Sequence, residues 1–333
     1  MRRMAAIAAL TYLALCPVAH AQMTVGTDIK SLTAWTKSSI GDMTSELGLY
    51  SSYLTYRGPQ SLNVWAIGGM DWPLTNSYNG NPPSSVTAGV DVVNWFGWTI
   101  GFAGSTTYSR PGLTNGGSAA MSGIGGTIYA NYTHGAGIGS IVVNLSATVD
   151  SLNTNFNRNE VSKSGVLLGN QANVDSLAWL PSAVLHYVFT EQWFKHGPFV
   201  GIQMLDSTVF GFSESGSITS RTFNDQTEQS STAIMGYSAE FDFLNFQPFA
   251  SIKALYTLSS IGDNVQANFT SGGPPVAPFP LIGKTNLWSY GTSVGTAVFL
   301  TPRITGFVAW NANYNDHFGF TENQGLVGAS YAF

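Results

Sequence analysis

Cysteine, charge and long apolar runs are what this 333-residue sequence is short of. Its one cysteine, Cys16, lies in an N-terminal stretch that reads as a secretory leader: Arg2 and Arg3, an apolar run from Met4 to Leu15, then Ala19-His20-Ala21 as a small-x-small cleavage site before Gln22. A lipoprotein reading of Cys16 fits poorly, with Leu15 before it and Pro17 after it. Cleavage after Ala21 leaves no thiol, so the exported chain is expected to be stable without disulfides and to offer no cysteine to a zinc ion.

Charged residues are 9% of the chain, against about 25% in typical soluble domains. The formal net charge is −5, no basic cluster is present, and losing Arg2 and Arg3 with the leader makes the balance more acidic. Nucleic acid is therefore not an expected partner. Glycine, aromatic residues, Ser, Thr and Asn are plentiful instead, and such a surface suits lipid better than water. Yet after the leader no run reaches the ~18 consecutive apolar residues of a membrane helix. A closed β-barrel is the remaining way across, because every backbone donor and acceptor must be paired inside hydrocarbon.

What is present is alternation. From residue 62 to the end, twelve segments of about ten to fifteen residues follow the period of a strand. Trp98, Ile100, Phe102, Thr106 and Tyr108 share one face, while Thr99, Gly101, Ala103, Ser105 and Thr107 share the other. Ile141, Val143, Leu145, Ala147 and Val149 likewise alternate with Val142, Asn144, Ser146, Thr148 and Asp150. Apolar faces toward lipid and polar faces toward a lumen fit this pattern. A soluble sandwich alternates identically on paper, and the scarcity of charge decides against it.

The connections alternate in length as well. Long ones are expected near 73–84, 109–122, 152–176, 208–230, 259–285 and 315–323, and short ones near 94–97, 135–139, 190–197, 244–247 and 301–303. This rhythm predicts an all-β fold, a 12-stranded antiparallel transmembrane barrel over residues 62–333 whose first strand starts and last strand ends on the short-turn, periplasmic side. Aromatic residues near segment ends, such as Trp72, Trp95, Trp98, Tyr132, Phe189 and Trp288, suit interfacial girdles. Residues 22–61 stand apart. Ile29, Leu32, Trp35, Ile40 and Met43 recur at helical intervals from Asp28. Residues 44–57 are open: as a strand they make thirteen, and as helix they extend one rod of about 43 Å over 28–56, long enough to thread the lumen. The threading helix is the preferred reading.

These residues resemble the translocator β-domain of autotransporters, the type V secretion barrels, closest to those that carry GDSL-type esterases. "NVWAIGGMDW" resembles an opening strand, and "HGPFVGIQM", "GFSESGSITSRTFNDQTEQSSTAIMGYSAEFDF" and "QPFASIKALYTL" carry the family's motifs in their order. The resemblance implies a helix-threaded barrel of the Gram-negative outer membrane, a monomer whose partners are outer-membrane lipid and the outer-membrane assembly machinery. It also implies that Tyr331 and Phe333 resemble the C-terminal signal read by that machinery. Members carry a passenger of hundreds of residues, whereas about forty residues separate the leader from the barrel here.

No catalytic residue, metal site or cofactor is expected. "GDM" at Gly41–Met43 puts methionine where a GDSL-type enzyme needs its nucleophile, no G-x-S-x-G is present, and His134, His186, His196 and His317 form no H-x-x-x-H pair. The function candidates are charged or polar residues on lumen parity: Asp91, Asp150, His186, Glu240, Asp242, Lys253 and Arg303. They are expected to pair with one another or with Lys30 and Lys37 of the helix, either as a network that plugs the barrel or as a permeation filter. Three readings follow: a transmembrane passage or surface anchor, a plugged display barrel, and a lipid or ester hydrolase.

Overall fold

The structure is a computed structural model that describes residues 2–57, 62–73, 80–162, 164–271, 276–280, 288–315 and 320–333, with helix side chains described from Asp28 to Thr55. A helix, α1 (Arg2–Arg57), precedes all the strands. Twelve strands form the barrel: β1 (Asn63–Pro73), β2 (Gly80–Trp95), β3 (Trp98–Pro111), β4 (Ser118–Ala136), β5 (Gly139–Val161), β6 (Leu167–Thr190), β7 (Phe194–Val209), β10 (Gln226–Phe241), β11 (Phe246–Gly262), β14 (Trp288–Phe299), β15 (Ile304–Asn315) and β16 (Phe320–Ala332). Four short strands, β8 (Phe212–Ser213), β9 (Arg221–Phe223), β12 (Asn264–Phe269) and β13 (Val276–Pro280), make a separate sheet at the long-loop end.

Each barrel strand pairs antiparallel with its neighbours, and the ring closes where β1 meets β16, from Asn63 opposite Ala332 to Pro73 opposite Glu322. Beyond the last pair, the Phe333 N–H donates to the Leu62 carbonyl at 3.1 Å. The C-terminal strand therefore presents no unpaired edge. Along β3 the burial alternates at nearly every residue, with Phe102 and Tyr108 exposed outside and Thr99, Ser105 and Thr107 buried inside. Val149, Trp179, Val200, Ile252 and Val327 are exposed on the same outer surface. In water that belt would be costly; in hydrocarbon it needs no cover. Among the described residues no helix is long and apolar enough to cross a membrane.

The expected long connection at 152–176 is not a loop. β5 runs 23 residues and β6 runs 24, with a turn only at 162–166. About ten residues suffice to cross a bilayer, so this hairpin stands well above it. Composition misleads here because outward residues above the lipid are polar, such as Asn153, Asn155 and Asn157, while the strand period continues unbroken. Part of 208–230 likewise folds as β8 and β9. The expected connections near 73–84, 259–285 and 315–323 lie partly outside the described residues.

The stretch 44–57 is helix, continuous with the rest of α1, so the strand count stays at twelve. Side chains of the α1 segment from Asp28 lie in the lumen: Ile29, Ile40 and Tyr50 are fully buried, and Leu32, Met43, Leu47 and Leu54 nearly so. Each such apolar side chain contributes roughly 1.5–3 kcal/mol against exposure to a water-filled lumen. Close approach favours a small wall: a Cβ at Gly125 of β4 would lie 2.5 Å from the Met43 sulfur and 2.8 Å from the Val149 carbonyl, so a larger residue there would push Met43 aside and crowd the strand backbone.

Candidate functional site

The site is the lumen wall and the helix against it, and it is held in tiers. At the long-loop end, Ile29 and Leu32 enter an apolar cluster with Phe156, Val209, Phe212, Phe223 and Val265. Beside it, Arg158 near the top of β5 is fully buried and forks onto Glu214, with Nε to Oε1 at 2.8 Å and Nη2 to Oε2 at 2.7 Å. Arg158 also pairs with Glu160, which binds Arg221 at 2.5 Å, and the Arg221 N–H donates to Glu214 at 3.0 Å. Burial alone would lower the Arg158 pKa, but Glu214 and then Glu160 outweigh it and hold the guanidinium above its ordinary value.

Lower down, hydroxyl and amide contacts tie helix to wall. Thr36 meets Ser176 at 2.9 Å, Ser39 meets Thr107 at 2.7 Å, and Gln324 donates to Asp42 at 3.3 Å. Lys37 forms an ion pair with Glu228 of β10, and Ser85 donates to Glu46 at 2.5 Å. At the short-turn end Asp91 is the hub. It accepts from Tyr50 at 2.6 Å, Tyr129 at 2.7 Å and both nitrogens of Asn63 at 3.2 and 2.9 Å. Trp65 stacks on Tyr50 with ring centres 4.6 Å apart and donates its indole N–H to Tyr129 at 2.8 Å.

The residues expected on lumen parity separate into three groups. Asp91 joins helix to barrel as described. Asp150 is fully buried opposite Gly125 and Ala178, and His186 packs on Phe199 while Asn144 Nδ2 donates to its Nε2 at 3.2 Å and to Thr55. Glu240 is buried at the foot of β10 between Lys195 and Phe249, and Lys253 is half-buried on β11 between Gly236 and Gly291, so the register does not set the two opposite each other.

Arg303 is a correction, because it lies outside the strands; Asp242 directly follows β10, at the short-turn mouth of the lumen. β10 ends at Phe241 and β15 begins at Ile304. The Asp242 N–H still donates to the Trp193 carbonyl at 2.9 Å, and its exposed carboxylate accepts from the buried Gln247 at 3.2 Å. Pro302 offers no donor, and the Thr301 hydroxyl accepts the N–H groups of Arg303 and Ile304. Arg303 therefore points outward to Tyr331, at 3.4 Å. Parity cannot be carried through a turn. Tyr331 and Phe333 lie on the outer face, ring to ring at 5.8 Å.

The lumen is filled asymmetrically. Inward side chains of β2 to β5, such as Thr87, Thr107, Thr127 and Thr148, are buried under the helix. Those midway along β10, β11 and β14, such as Thr232, Ser251, Lys253 and Ser293, remain half-accessible. A recess of about 570 Å³ opens at the short-turn mouth below them, lined by Lys195, Asp242, Gln247 and Phe299.

The sequence profile of the autotransporter beta-domain family matches residues 71–311. This chain belongs to that family. The translocator domain of autotransporter NalP from Neisseria meningitidis has the same fold, at 14% identity and TM-score 0.66 over 89% of this chain and 98% of that one. The beta domain of the Bordetella autotransporter BrkA is similar at 13% identity and TM-score 0.54, over 82% and 100%. The transport unit of AIDA-I from Escherichia coli matches at 11% and TM-score 0.50, over 86% and 99%. No curated protein matches the chain.

This autotransporter barrel is thus a Gram-negative outer-membrane protein, and its short turns are periplasmic and its long connections extracellular. α1 runs down the barrel with its N-terminal part at the surface and its C-terminal part at the periplasmic mouth. The ion cluster around Arg158 was not read from the sequence. Its members include Arg158, late in the fifth strand, and Glu214 of the Ser-Glu-Ser-Gly loop, charges in a chain that has few. Nothing in their spacing says that they meet, since Arg158 and Glu214 are 56 residues apart.

Proposed function

We propose that this barrel is a surface anchor: a transmembrane ring that holds α1 against one wall and keeps the N-terminal end of the mature chain on the outer face. The observation that carries this is the Asp91 hub, where four donors from helix and barrel converge on one buried carboxylate. A permanent opening for large solutes does not need a helix fastened at both ends. The accessible wall of β10, β11 and β14 leaves room for water and small ions beside the helix.

Translocator barrels are transport domains, and we read this one as non-catalytic and monomeric, with residues 1–21 as a leader cleaved near Ala21. The Tyr331 and Phe333 pair fits a signal for the assembly machinery. The ordered motifs from His196 to Leu258 support placing it beside barrels that carry esterase passengers.

Single-channel recording on the refolded mature chain, with and without residues 22–60, tests the anchor. The expected result is a small conductance for the full mature chain and one roughly five-fold larger or more after deletion, as a widened lumen predicts. Equal conductances would mean that α1 does not occupy the lumen, and the anchor reading would be abandoned.

A further inference from the structure

Each of the five periplasmic turns carries a large exposed apolar side chain: Phe96 at 78%, Ile138 at 77% and Leu244 at 99% near the tips, and Trp193 at 56% and Leu300 at 65% where turn meets strand. Turn tips facing water are ordinarily polar. Two of these turns are two residues long, Phe96-Gly97 and Gly137-Ile138, and contain no polar side chain. The first pair has φ of 48° and 82°, a geometry in which Asn-Gly is favoured and a phenylalanine is strained. A bulky aromatic is thus kept where the backbone resists it.

We propose that the five periplasmic turns are immersed in the phospholipid leaflet on that side, so that the tip residues bind the boundary between headgroups and acyl chains. Phe96 and Trp193 adjoin the lipid-facing belt, while Leu244 and Leu300 also border the recess at the lumen mouth. Phe96 lies against Trp95 with ring centres 4.4 Å apart, and Trp193 stacks on Phe241 at 5.7 Å. Their distribution selects the occupant. The turns join β2 to β3, β4 to β5, β6 to β7, β10 to β11 and β14 to β15, so the tips ring the whole circumference of the closed barrel. A protein partner would cover one side of such a ring, whereas a leaflet meets every side. Glu191 and Arg303 of these turns then lie at headgroup depth, where an interfacial segment keeps its charges, while Asp242 faces the lumen mouth.

Single cysteines at Phe96, Ile138, Leu244 and Leu300, in a Cys16→Ser background, would be labelled with an environment-sensitive fluorophore. The full chain would be refolded into phosphatidylethanolamine and phosphatidylglycerol vesicles with iodide on both faces. An Asn115→Cys label on the extracellular 112–117 turn supplies the water-exposed reference. Only chains with heat-modifiable migration are scored, and four positions mean that one failed refolding does not decide the matter. The expected result is blue-shifted emission, iodide quenching reduced roughly three-fold or more against the reference, and strong quenching by a shallow doxyl lipid. Iodide quenching equal to that at Asn115 would place the tips in water and overturn the proposal. The anchor reading would survive that outcome, because it rests on the lumen alone.

Discussion

Replacing Arg158 with alanine is expected to destabilise the extracellular half of the protein by about 3–5 kcal/mol, the typical effect of removing one partner from a buried ion cluster. Glu214 is left fully buried without its two-pronged donor, and Glu160 keeps Arg221 alone. The damage should be local. Arg158 stands above the membrane and fastens the 210–225 segment, whose Glu214 N–H also donates to Arg221 at 2.8 Å. Limited proteolysis of the refolded variant should therefore cut within 210–225 at least about ten-fold faster, the factor that 1.4 kcal/mol commands, while the twelve strands stay folded in a heat-modifiability assay. Unchanged cleavage would mean that the cluster adds nothing to loop order. Alkali offers no shortcut. A pKa raised in the folded state stabilises below the unfolded value and is lost only as pH climbs through the folded one, so Arg158 gives no unfolding step below the ordinary arginine range.

Asp91→Ala should free the periplasmic end of α1. It removes the acceptor of the Tyr50 and Tyr129 hydroxyls and of both Asn63 nitrogens, all within a buried cluster. Each orphaned donor costs about 1–3 kcal/mol, and since the four share one acceptor the effects will not add fully. A net loss of roughly 3 kcal/mol or more in helix docking is expected. In planar bilayers the variant should flicker toward the larger conductance of the helix-deleted chain, whereas Tyr50→Phe, which loses one donor of the four, should do so less. If Asp91→Ala conducts like the parent, the helix is held by its apolar face and the hub is incidental.

The parts of this fold that were legible in the sequence are those with a local period. Strand alternation separates Phe102 from Ala103 and Val149 from Asp150, and α1 follows from the spacing of Ile29, Leu32, Ile40 and Met43. Strand ends were less legible, because the period of β5 and β6 persists where outward residues turn from apolar to polar. That change marks the edge of the lipid, and in sequence alone it looks like the start of a loop. Parity carried ahead of Ile304 puts Arg303 in the lumen, but no strand is there to keep it. The Asp91 hub needed a partner from a different element at every contact, Tyr50 from the helix and Tyr129 from β4, and no one-dimensional spacing contains that. Only its polarity on an otherwise small or apolar face pointed to it.

The central claim is a membrane-inserted barrel with α1 lodged in its lumen, and cross-linking helix to wall tests it most directly. Ser39 and Thr107 have hydroxyls 2.7 Å apart, so cysteines at both positions, with Cys16→Ser, should come within disulfide reach. A wall-only pair, Thr127→Cys with Thr148→Cys, whose hydroxyls are 2.9 Å apart across β4 and β5, serves as the positive control. In outer membranes treated with a mild oxidant, the account predicts that both pairs form a reductant-sensitive cross-link in the heat-modifiable protein. A cross-link in the β4 and β5 pair with none between Ser39→Cys and Thr107→Cys would show an inserted barrel whose helix lies elsewhere, and would contradict the account.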